Sequence, residues 1–177
     1  GYHAVFAGQP TYNGVAILAK AIAFDAPTDV QVNNPLFADE QMRIITATLK
    51  PKAGLLRSDD PIRFINAYVP NGSEVGSAKY DYKLRWFAAL RDYLAGELQR
   101  HPLLAVAGDF NVAPEDRDVH DPKAWEGQVH VSEPERAAWR ALLGLGLQDS
   151  FRLFEQPEKI FSWWDYRMAG FRRNAGL

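Results

Sequence analysis

The order of the apolar patterns constrains this chain more than any other feature. Short runs of branched and aromatic residues come first, then one long helical stripe, then a further short run. Tyr2 to Ala7, Gly14 to Ala19, a weaker stretch at Val30 to Val32, Arg43 to Leu49 and Ile62 to Val69 each read as a strand bounded by turn residues, among them Gly8-Gln9-Pro10-Thr11 and the loop Gly54 to Pro61. From Ala78 to Arg100 the residues Tyr80, Leu84, Phe87, Ala88, Arg91, Leu94 and Leu98 recur at three- and four-residue intervals, which predicts one helix with a single buried stripe. Leu103-Leu104-Ala105-Val106-Ala107 is continuously apolar and predicts a strand covered on both faces, ending at Gly108-Asp109. A second helix is expected to start at Ser132, because Ser132 and Glu135 form a capping box with Pro134 in the first turn, and to end near Gly144 or Gly146. Between Val112 and Val131 lies a long polar loop with Pro114 and Pro122. Strands that outnumber helices, with the helices set between them, predict an α/β sandwich.

Composition narrows the function classes without choosing one. At 177 residues the chain suits one domain, and 47% hydrophobic with 24% charged residues is the balance of a soluble globular protein. A net charge of -2 argues against broad electrostatic coating of nucleic acid, so any polyanion site must be local. The absence of cysteine excludes disulfides and Cys-ligated metal centres and suits a reducing cytoplasm. No apolar run approaches the about 20 residues that span a bilayer. No signal-like segment opens the chain, which predicts a soluble, untargeted, cytoplasmic protein.

Three short motifs carry chemistry. In Ala107-Gly108-Asp109-Phe110-Asn111, extended backbone would send Asp109 and Asn111 to the same side, giving two oxygen donors suited to a hard cation such as Mg²⁺. Gly-Asp-x-Asn is also a strand-ending turn, and taken alone that reading is the stronger. In Asn66-Ala67-Tyr68-Val69-Pro70-Asn71-Gly72 an amide and a phenol share one strand face and could donate hydrogen bonds to a phosphoryl oxygen. The plainer reading is a turn-flanking aromatic with its hydroxyl in water. In Phe161-Ser162-Trp163-Trp164-Asp165-Tyr166-Arg167, followed by Arg172 and Arg173, aromatics interleaved with arginines suit stacking on bases or sugars beside phosphates. Core packing accounts equally well for at least one tryptophan. None of His3, His101, His120 and His130 has a nucleophile or second histidine at useful spacing, and no role is assigned to them. Glu115, Asp116, Asp118 and Asp121 read as a solvated acidic loop rather than a metal site.

In this order and spacing the three motifs resemble the exonuclease III family of the endonuclease/exonuclease/phosphatase superfamily. Tyr12 to Leu18, Gln41 to Ile45 and Tyr82 to Trp86 extend the likeness, and Asp118 to Trp125 with Ser132 to Arg136 resemble its bacterial branch. The resemblance implies a four-layered α/β sandwich of two mainly antiparallel sheets flanked by helices, with residues 1–177 the central part of a single domain. It implies a Mg²⁺-dependent (or Mn²⁺-dependent) hydrolase that incises DNA at abasic sites and degrades 3′ ends, monomeric and without a membrane partner. Tyr68, Asp109 and Asn111 match its catalytic positions, with Asp109 and Asn111 at the metal. Tyr12 and Lys83 match positions near the DNA backbone, Trp163 an aromatic against the abasic sugar, and Leu177 the same pocket; Arg167 joins them from the basic aromatic cluster.

The family's metal-binding glutamate belongs before Gly1 and its closing histidine after Leu177. The chain is therefore expected to be a middle portion, an incomplete sandwich and inactive alone. Two rival readings stand beside this one: a superfamily member acting on lipid or RNA, and a non-catalytic nucleic-acid-binding remnant.

Overall fold

A computed structural model of the protein describes residues 1–10, 12–55 and 57–177. Thr11 of the first turn and Leu56 of the Gly54 to Pro61 loop lie outside the described residues. The chain divides into two compact units, Gly1–Val69 with Ala89–Phe110, and Pro70–Ala88 with Asn111–Leu177.

The first unit holds the six strands: β1 (Tyr2–Gly8), β2 (Gly14–Lys20), β3 (Thr28–Val32), β4 (Ile44–Leu49), β5 (Ile62–Tyr68) and β6 (Leu104–Asp109). β1 and β2 form an antiparallel pair, and the other four form a sheet in the order β3-β4-β5-β6, antiparallel except for the parallel pair β5–β6. Alternation along β2 and β4 sends Val15, Ile17 and Ala19 of one sheet against Ile45, Ala47 and Leu49 of the other, with Phe64 and Tyr68 packed on the same cluster. The opposite face of β4 and β5 meets the second half of helix α1 (Ala78–Arg100). There the Tyr93 hydroxyl donates to Thr46 Oγ1 at 2.9 Å and Arg63 Nε to Glu97 Oε2 at 2.6 Å. Sheet, sheet and helix thus make the stacked layers of an α/β sandwich, as expected.

Two expectations change. The buried stripe of α1 runs through Tyr80, Lys83, Phe87, Leu90, Leu94 and Glu97, while Arg91 faces solvent. Lys83 and Glu97 sit on the apolar side because each meets an opposite charge there. And β6, expected to be covered on both faces, is half-buried at Leu104 to Val106 and exposed from Ala107 to Asp109, since among the described residues it pairs only with β5 at the sheet edge.

Burial raises the pKa of the Tyr93 hydroxyl, only partly offset by its Thr46 hydrogen bond, so it stays protonated and donates. Tyr93→Phe is expected to lower unfolding stability by about 1 kcal/mol, the usual net worth of one such bond. Urea denaturation of the two proteins measures it.

The second unit begins with Pro70 to Ala88 and continues with the polar loop from Val112 to Val131. It contains a 3₁₀ turn (Asp116–Asp118) and the short helix α2 (Pro122–Trp125), whose N-cap Asp121 accepts from Ala124 N at 3.1 Å. Helix α3 (Glu133–Leu143) starts at Ser132 with the predicted capping box and ends before Gly144. A small apolar cluster of Ala113, Val119 and Val131, with Trp125 and Leu177 against it, anchors this unit.

Candidate active site

In the first unit the ends of the parallel pair bring two predicted residues side by side. Tyr68 closes β5, Asp109 closes β6, and the register sets them opposite one another. The main chain continues the ladder one step further, where Val69 N donates to Asp109 O at 2.9 Å. This close approach needs glycine at position 108. Gly108 has φ +135, and a Cβ there would stand 2.0 Å from the Ala67 carbonyl oxygen and 2.8 Å from Asn66 Oδ1. Tyr68 is pinned from the other side by Arg43, whose guanidinium lies 4.9 Å from the ring centroid and whose backbone oxygen accepts from Tyr68 N at 2.7 Å. Arg43 is in turn held by Gln41 at 2.8 Å, and Gln41 by Asn13 at 2.9 Å. No local pattern marks Arg43 for this place, because the pairing joins strands distant along the chain. Asn66 shares the Tyr68 face as predicted, but its amide donates to the Ala16 carbonyl at 2.8 Å and ties the two sheets together.

In the second unit Asn111 is not extended: its φ is +48, so the period-two argument that set it beside Asp109 fails after the strand ends. Its backbone oxygen meets Lys83 Nζ at 2.6 Å and His130 Nδ1 at 2.7 Å, and its Oδ1 faces Asn71 Nδ2 at 3.4 Å. Lys83 therefore corrects an expectation. It is fully buried, ion-paired with Glu135, and presents no charge to a DNA backbone. His130, given no role from sequence, belongs to this network; only the fold brings it there.

The aromatic segment of the second unit is not a strand. Trp164 forms an isolated bridge with Gly176, packs edge-on to Phe171 at 5.2 Å and donates to Asn174 Oδ1 at 3.2 Å. Trp164 is thus the packing member of the pair. Trp163 is 51% exposed, and its backbone N and O pair with Leu177, whose side chain sits half-buried on the Ala113, Val119 and Val131 cluster. Arg167 lies over the exposed Tyr166 ring at 5.7 Å. Tyr12, in the first unit, is exposed.

The acidic loop is a set of caps and ion pairs. Asp116 pairs with Arg136 at 2.8 Å, Asp118 with Arg152, and Glu115 with Arg117 at 2.6 Å. Among the described residues no three His, Asp or Glu side chains converge on a point that could hold a metal. Asp109, an exposed carboxylate at a strand end, fits the role of one ligand to a largely hydrated Mg²⁺ that also binds a substrate phosphate. It is one part of a donor set.

The profile of the endonuclease/exonuclease/phosphatase family matches residues 1–177. The chain belongs to that family. It is similar to exodeoxyribonuclease III of Haemophilus influenzae, 36% identical over all of this chain and 66% of that protein. Among solved structures it is similar to the 3′-5′ exonuclease NExo of Neisseria meningitidis, with a TM-score of 0.88, 42% identity and coverage of 100% of this chain and 64% of that one. The same Neisseria protein, described as a 3′ phosphatase bound to a product DNA hairpin, gives a TM-score of 0.86 at 41% identity. An AP endonuclease of Archaeoglobus fulgidus gives 0.85 at 36% identity, over 100% of this chain and 64% of that one. The chain thus spans about two thirds of each of these relatives. They are nucleases of the endonuclease/exonuclease/phosphatase family, and the α/β sandwich is the fold this chain shares with them. Among the described residues no helix is long and apolar enough to cross a membrane.

Proposed function

We propose that the full-length protein is a Mg²⁺-dependent DNA phosphodiesterase that incises abasic sites and processes 3′ ends. One observation carries the reading: Tyr68 and Asp109 stand opposite each other at the ends of adjacent parallel strands, with the Asp109 carboxylate exposed, in a chain of this family. Asp109 orients water and takes its proton as the water oxygen bonds to phosphorus. The bond to the 3′ oxygen breaks, and that oxygen gains a proton to leave a 3′-hydroxyl. The Tyr68 hydroxyl and the Asn111 amide donate to the phosphoryl oxygens as their charge grows. Mg²⁺, or Mn²⁺ in its place, supplies Lewis-acid polarisation of the phosphodiester, with Asp109 and Asn111 as the oxygen donors this chain offers. Trp163 stacks on the abasic sugar beside Leu177, and Arg167 and Tyr12 meet flanking phosphates. An absent base makes extrusion cheap, which favours abasic sites. We read residues 1–177 as the central part of one domain of a monomeric, cytoplasmic protein.

A second reading, in which 3′-end trimming is the main activity, is favoured by the Neisseria relative seen with a product DNA hairpin. The test is cleavage by the full-length protein, with and without Mg²⁺, of an abasic duplex, a recessed 3′ end, a 3′-phosphorylated end, a phosphoinositide and an RNA tail. Mg²⁺-dependent turnover of the DNA substrates is expected, and their relative rates rank the two readings. Turnover of lipid or RNA alone, or of nothing, would sink both.

A further inference from the structure

We propose that Lys83, Glu135 and His130 form a buried positioning device for Asn71 and Asn111, so that a charge pair inside the second unit sets the amide on which phosphoryl binding depends. The inference rests on the reading of Asn111 as a site residue given above.

An ammonium has three protons to give. Lys83 Nζ meets three oxygens: Asn71 O at 3.0 Å, Asn111 O at 2.6 Å and Glu135 Oε1. His130 Nδ1, 3.5 Å from Nζ, therefore carries its own proton and gives it to Asn111 O at 2.7 Å. That tautomer leaves His130 Nε2 as an acceptor, and the group facing it at 3.3 Å is Asn71 Nδ2. Asn71 Oδ1 is fixed independently by accepting from Ser73 N at 3.0 Å, so its amide cannot flip. Asn71 Nδ2 then points its second proton at Asn111 Oδ1, 3.4 Å away. The chain of donors fixes which way the Asn111 amide faces, its oxygen toward Asn71 and its nitrogen on the other branch.

The rest of the surroundings hold the device in place. Asn111 has left-handed backbone, which asparagine tolerates but does not prefer, and two donors converge on its carbonyl to keep it there. Gly72, with φ +94, leaves room for the lysine stem, since a Cβ there would come within 2.9 Å of Lys83 Cδ. Glu135 is locked by the backbone N–H of His130 at 3.0 Å and that of Ser132 at 3.3 Å. An apolar pair could fill this space without the desolvation cost of two charges. What it could not do is hold two backbone carbonyls at once.

The experiment compares kcat and KM on an abasic duplex for the full-length protein and its variants Lys83→Met, Lys83→Arg and Lys83→Met/Glu135→Gln. The double variant removes both charges while glutamine preserves the capping box, so it stays folded if the single one does not. Expected is a fall in kcat of about 10²-fold with KM little changed, the scale of a misplaced catalytic group, and partial recovery with Lys83→Arg. In an Asn111→Ala background the loss from Lys83→Met should vanish, because both changes remove one function. A folded double variant with the parent kcat, or losses that add in the Asn111→Ala background, would overturn the proposal. Should the parent protein cleave no DNA, the proposed function fails separately. The Asn111 side-chain amide signal in a ¹H–¹⁵N spectrum then decides: a shift in the double variant supports the device, and an unmoved signal overturns it.

Discussion

Asp109→Asn in the full-length protein is expected to lower Mg²⁺-dependent abasic-site incision by about 10³-fold, within the range of positioned acid–base groups. The carboxylate stands at the exposed end of β6, where its neighbour across the parallel ladder is Tyr68. An amide of the same shape keeps an oxygen there but cannot take a proton from water. Because the position is exposed, thermal unfolding should shift little, as surface exchanges usually stay within about 0.5 kcal/mol. Steady-state incision of an abasic duplex checks the first point and a melting curve the second. Near-normal cleavage would remove Asp109 from the role proposed for it.

Arg63→Met is expected to produce the largest loss of stability, about 3 kcal/mol, because it removes the buried partner of Glu97 and leaves that carboxylate only the exposed Arg100. Arg63 Nε meets Glu97 at 2.6 Å with side-chain exposures of 6% and 2%, and its Nη1 serves Thr48 Oγ1 at 3.0 Å and Asp29 O at 2.9 Å. Three acceptors lose a hydrogen bond at once. Arg63→Lys should recover only part, since a single ammonium cannot reproduce the fork. Burial pushes the Glu97 carboxyl up, but the hydrogen bond and charge of Arg63 together with Arg100 outweigh it and hold the group below its ordinary value of 4.5. A carboxylate with a lowered pKa in the folded state adds stability above its unfolded value, and that stability drains away as pH falls through the folded one. The denaturation midpoint should therefore drop below about pH 4.5 in the parent protein, and this component should be smaller in Arg63→Met, where Arg100 alone remains. Midpoints measured from pH 7 down to 3 provide the comparison.

The strands were legible because alternation survives burial on one face, and β1, β2, β4 and β5 lie within a residue or two of their predicted ends. Helix α1 and the start of α3 were legible for equally local reasons, a helical period and a capping box. What hydrophobic periodicity cannot register is a charge placed inside. Lys83 and Glu97 interrupt the apolar stripe of α1, and their partners Glu135 and Arg63 lie 52 and 34 residues away in sequence. So Lys83 read as a surface contact when it is an internal tie. Tyr68 and Asp109 were each visible in a motif, but their facing register belongs to a parallel pairing that no local pattern specifies. Asn111 was found for its residue type, but the extended backbone assumed for it gives way to positive φ two residues after the strand ends.

Gly108 has a further consequence. With the Ala67 carbonyl oxygen 2.0 Å from where a methyl group would stand, the residue before Asp109 has no spare volume at all, and the obstacle is main chain that cannot swing aside. A randomised codon at 108 followed by selection for a folded, active enzyme should return glycine almost alone, while codons for exposed neighbours drift. The least decorated residue of the site would then be its most sharply specified letter.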